Sequence, residues 1–149
     1  MSTKLLFVKG WQVKGIRSAE KFFSAVPEVL PLPVHLCFVG GSVAPNVRAL
    51  FESAAVEPGM QIPAGIWPAP SIFHVLATEQ IIRDLAALAG KHAGPEICIH
   101  FHAYNNGRGL MQWYDAFDDP LLIDESIPET QIQKFCKKLG VEYSPWKAA

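Results

Sequence analysis

Hydrophobic residues recur along this chain in two rhythms. Val47, Leu50, Phe51, Ala54 and Ala55 follow the i, i+3, i+4, i+7, i+8 spacing of one helix face. Ile81, Ile82, Leu85, Leu88 and Ala89 make a second such stripe, and Ile132, Phe135, Cys136 and Leu139 a third. A shorter stripe, Phe22, Phe23 and Val26, follows Ser18, a natural N-cap, and Pro27 should end it. Pro45 suits a first helical turn, and Thr78 with Glu79 suits another helix start. Ser126 and Glu129 have capping-box spacing, and Gly140 should close the last helix.

The other rhythm is that of strands. KLLFVK (4–9), HLCFV (35–39) and IFHVLA (72–77) are short apolar runs. HLCFV is nearly continuous, as expected of a strand covered on both faces. Residues 97–104 and 110–117 flank Asn106-Gly107, the strongest local hairpin signal. The order is β-α-β-α-β-α-β-β-α. It predicts one layered α/β domain over residues 1–149, α+β at its C-terminal end. The expected sheet is mixed and mostly parallel, with about five strands, flanking helices and an antiparallel C-terminal hairpin (97–104/110–117).

A two-residue turn at Asn106-Gly107 pairs His102 with Met111, His100 with Trp113 and Cys98 with Asp115. Period two then gathers Cys98, His100, His102, Tyr104, Met111, Trp113, Asp115 and Phe117 on one mixed face. Ile97, Ile99, Phe101, Ala103, Leu110, Gln112, Tyr114 and Ala116 form the expected core face. The mixed face allows two chemistries. His100, His102 and Asp115 could hold a divalent metal such as zinc, with His74 or His35 as a distant further ligand, since zinc wants at least three protein groups. Alternatively Cys98, His100 and Asp115 could act as nucleophile, base and orienting acid. A half-buried sheet face with neither chemistry describes the same residues and is preferred.

Composition narrows the classes. Half of the 149 residues are hydrophobic and 18% are charged, enough apolar material for a continuous core. The net charge of −1 gives no reason to expect nucleic acid or an anionic membrane as partner. No apolar run is long enough to span a bilayer. Cys37, Cys98 and Cys136 are odd in number and lack zinc spacing, which fits reduced thiols in a cytoplasmic protein. The turn Val39-Gly40-Gly41-Ser42 is neither a dinucleotide fingerprint nor a Walker A sequence.

Charge is unevenly spread. Gly109 to Gln133 holds six acids and no Lys or Arg, leaving +5 for the rest of the chain. Within it Trp113, Tyr114 and Phe117 interleave with Asp115, Asp118 and Asp119. Aromatic anchors ringed by charge suit recognition of a basic partner surface. Trp67 lies in the proline-rich stretch 58–70, a long loop of the kind that carries function. The expected function is therefore a non-catalytic, cofactor-free interaction protein, inhibitor- or immunity-like or self-associating as a homodimer. It would bind through Trp113, Tyr114, Asp115, Phe117, Asp118, Asp119 and Trp67. The alternative is a metal-dependent hydrolase built on His100, His102 and Asp115.

Overall fold

The computed structural model describes residues 5–62 and 70–149. Among these residues seven strands form one sheet: β1 (Lys9–Lys14), β2 (Val34–Gly40), β3 (Ser71–Ala77), β4 (His100–Asn105), β5 (Arg108–Tyr114), β6 (Leu121–Asp124) and β7 (Glu142–Lys147). Four α-helices accompany them among the described residues: α1 (Ala19–Val29), α2 (Pro45–Ser53), α3 (Glu79–Ala89) and α4 (Glu129–Leu139). The spatial order is β3-β2-β4-β5-β6-β1-β7, and every neighbouring pair is antiparallel.

The expectation of a mostly parallel sheet of about five strands is therefore overturned. The alternation of helix and strand misled for a definite reason. α3 joins β3 to β4, which run the same way, but β2 lies between them. α4 likewise joins β6 to β7, with β1 between. Each crossover leaves a gap, and a strand from earlier in the chain fills it antiparallel. Two strands, β6 and β7, were also not anticipated. The first strand starts at Lys9, where KLLFVK was expected to end; Lys4 itself lies outside the described residues.

All four helices pack on one face of the sheet. Phe22 of α1 sits at the centre of that core and meets Phe23, Phe101, Trp113, Phe117 and Phe135 at ring-centroid distances of 4.9–6.4 Å. Phe51 of α2 stacks on Phe38 of β2 at 4.2 Å. α1 runs past Pro27 to Val29, with the Ser18 hydroxyl accepting the Lys21 N–H as its cap. Thr78 caps α3 through Ile81 N–H. The capping box expected at Ser126 does not form: Pro128 precedes α4, and Glu129 instead accepts a hydrogen bond from the Tyr143 hydroxyl at 2.8 Å.

The β4–β5 hairpin turns at Asn106 and Gly107, both with positive φ (49° and 73°). That is the conformation for which Asn-Gly is favoured in two-residue turns. Asn105 pairs with Arg108 and Tyr104 with Gly109, the anticipated register. A β-bulge then shifts the pairing by one, so that Ala103 meets Met111, His102 meets Gln112 and Phe101 meets Trp113. One extra residue in a strand sends every following side chain to the other face. Trp113 thus joins the core, and Gln112 and Tyr114 join the opposite face.

Candidate functional site

The face turned away from the helices carries the chemistry. Strand pairing lines up one residue from each strand in a row across it: His74, Cys37, His102, Gln112, Leu122, Gln12 and Ser144. A row this polar is possible because antiparallel sheets need only one apolar face. It is partly roofed by the segment before β1 and by residues 59–62. Leu6 N–H donates to Gln112 Oε1 at 2.8 Å. Leu6, Met60 and Ile62 pack on a small second cluster with Cys37, Val39 and Tyr104.

At the β3 end the groups interlock. Cys37 Sγ lies 3.7 Å from His74 Nε2. The other nitrogen of that ring, Nδ1, is 2.7 Å from the Tyr104 hydroxyl, which accepts the Gly59 N–H at 3.0 Å. Burial pushes the Cys37 thiol up to about 12. Burial, and then the neighbouring His35, lower His74. Both groups are therefore neutral near pH 7, so the pair is not an activated thiolate–imidazolium nucleophile.

His102 stands on the other side of Cys37. Its side chain is fully buried, and neither ring nitrogen has a hydrogen-bond partner among the described residues. Its ring meets that of Tyr114 edge-on at 4.8 Å. Burial first, then His100 and His74, lower its pKa to about 3. Such an unsatisfied buried group costs about 1–3 kcal/mol.

The anticipated metal and thiol sets are arranged differently. His100 shares the polar face with His102, but its Nδ1 accepts the backbone N–H of Asp115 at 3.0 Å, and the Asp115 side chain is exposed. Cys98 lies in the main core, where burial raises its thiol. Among the described residues, no three His, Cys, Asp or Glu side chains stand close enough together to hold an ion as they are.

The acidic segment splits by side-chain type. Trp113 is buried, its indole N–H donating to the Asp119 carbonyl at 2.6 Å, and Phe117 packs inward on Phe22 and Trp113. Asp115 and Phe117 both adopt positive φ in the β5–β6 turn. Asp115, Asp118, Asp119 and Glu125 are exposed and in no ion pair among the described residues. Asp124 is spent internally: nearly buried, it pairs with Arg108 at 2.9 Å and accepts Ser126 N–H. Trp67 lies outside the described residues.

Beside Asp119 the polar face opens into a groove of about 280 Å³, lined by Gln12, Gln112, Tyr114, Leu122 and Trp146 among others. No protein-family model, curated protein or solved structure matches this chain. The groove and the row behind it are thus read from their own geometry. The sequence points to His74 only as a distant metal ligand, and gives Trp146, Gln12 and Cys37 no place in a common site. Only strand order brings them together, and no local sequence signal encodes it.

Proposed function

We propose that the chain is a non-catalytic binding protein that receives a basic segment of a partner at the β5–β6 turn. The observation that carries this reading is the groove at Asp119. Its walls are amphipathic, with Tyr114 and Trp146 beside Leu122, and its rim carries an exposed carboxylate. A lysine or arginine lays its apolar stem on such walls while its charged head reaches the rim. Asp115 and Asp118 extend the same negative edge and favour encounter with positive surfaces. Trp146 takes the anchoring role that the sequence had suggested for Trp113. The partner is another protein or a second copy of this chain. Three free, buried thiols support a reducing, cytoplasmic setting. Among the described residues no helix is long and apolar enough to cross a membrane. The hydrolase alternative at His100, His102 and Asp115 receives no comparable support, since the Asp115 carboxylate faces solvent.

Titration calorimetry with a Lys/Arg-rich peptide, together with sedimentation of the chain alone, tests the reading. The double substitution Asp118→Lys with Asp119→Lys should weaken peptide binding or self-association at least tenfold. Added salt should weaken the wild-type association, because exposed charges are screened. Exposed substitutions of this kind change stability by about 0.5 kcal/mol or less, so the melting midpoint should move by no more than about 2 °C. Association constants that survive the charge reversal in both assays remove the proposal.

A further inference from the structure

We infer that Cys37, His74 and His102 together bind a monovalent, thiophilic metal ion, copper(I) by its chemistry. The three residues are consecutive in the transverse row, one on each of three adjacent strands, with the thiol between the two imidazoles. Directly paired residues on neighbouring strands hold their Cβ atoms about 4.5–5.5 Å apart, within reach of one ion.

Three observations point to a ligand here. First, with bonds of the length found at zinc, about 2.3 Å to sulfur and 2.0–2.1 Å to nitrogen, a shared ion spaces sulfur and nitrogen by about 3.6–3.8 Å. Cys37 Sγ and His74 Nε2 stand 3.7 Å apart. Second, His74 already has the outer support typical of a ligating imidazole. Its remote nitrogen is held by the Tyr104 hydroxyl, which the Gly59 N–H holds in turn. Third, His102 is fully buried, and among the described residues both its ring nitrogens lack a hydrogen-bond partner. Bringing it onto the ion requires a rotation of its side chain, which breaks no hydrogen bond of its ring. Of the other nearby imidazoles, His100 is engaged by Asp115 N–H and His35 by Asn105 Oδ1, and neither is needed.

Charge selects the ion. One thiolate and two neutral imidazoles sum to −1, so a monovalent cation makes the site neutral, whereas a divalent one leaves a net positive charge. At full burial an uncompensated charge is costly. Soft thiolate ligands favour copper(I), and imidazole accommodates it. Binding replaces the Cys37 S–H bond with a sulfur–copper bond and releases one proton to solvent, with no change of oxidation state. Affinity should therefore rise with pH. This site is separate from the groove at Asp119, and neither proposal depends on the other.

The test is anaerobic titration of the tag-free chain with copper(I) against a coloured copper(I) chelator. The wild type should withhold one equivalent. Loss of an outer-sphere partner typically costs about 10–100-fold in metal affinity, the effect expected of Tyr104→Phe. Cys37→Ser and His102→Asn should each cost more than that, while Cys98→Ser and His100→Asn should leave affinity unchanged. Near-UV circular dichroism of each metal-free variant shows whether it has folded. X-ray absorption of the loaded wild type should count one sulfur and two nitrogens at copper, a readout independent of any variant. A wild type that withholds no copper, a Cys37→Ser chain that binds as well, a different ligand count, or a preference for zinc(II) each overturns the inference.

Discussion

The ring of His102 is neutral in the folded chain and charges once the chain unfolds, and this couples stability to acid. Its pKa falls from an ordinary 6.5 to about 3 in the folded state. Below pH 6.5 the unfolded chain binds a proton that the native chain refuses. Stability is therefore full above about pH 6.5 and declines as pH falls toward 3. His74, lowered by burial and by His35, adds in the same direction. In the presence of a metal chelator, the urea midpoint should drop between pH 7 and pH 4.5, and less steeply in His102→Gln. Equal slopes in the two chains would contradict this account. Asp124 makes a second residue-scale case, because its carboxylate serves Arg108 and Ser126 N–H together. Asp124→Ala should cost about 1–3 kcal/mol by chemical denaturation. The period of two placed His100 and His102 on a common face from sequence alone. It could not reveal Cys37 or His74 beside them, because those neighbours are chosen by strand pairing far along the chain.

At the scale of elements, the helices were the most legible part. Their stripes and caps at Ser18, Pro45 and Thr78 are local signals, and local physics decides them. Phe22→Ala tests the stripe of α1: removing the ring at the centre of the aromatic core should cost about 3–5 kcal/mol. An effect near zero would mean that α1 does not anchor the sheet. The strands were harder. The tail segment EYSPWK forms β7, and its Pro145 sits on an edge strand, where a missing N–H is tolerated. LLID reads as part of an acidic loop because β6 spans only four residues. The hairpin shows how one residue decides a surface. The turn was visible in Asn106-Gly107, but the bulge beyond Gly109 was not, and it exchanged Trp113 for Gln112 and Tyr114 on the polar face. The acids of the β5–β6 turn kept their exposure while Trp113 and Phe117 turned inward.

For the molecule as a whole, the class of elements was readable but their arrangement was not. A helix between two strands suggests a parallel pair only if those strands are neighbours, and here β2 and β1 are interposed. The tightness of that interposition can be probed at Gly10. A Cβ there would collide with the Ile123 carbonyl across the β1–β6 pair. Gly10→Ala should therefore cost about 1–3 kcal/mol through overpacking. An unchanged urea midpoint would show that the two strands separate without penalty. The placement of β1 also has a kinetic consequence. Residues 9–14 are synthesised long before their partners at 121–124 and 142–147. Until then both edges of that strand lack their native neighbours, and its pairing must wait for distant chain closure. The nascent chain should be open to aggregation and to chaperone capture until those partners emerge, and refolding in vitro should be slow for a domain of this size.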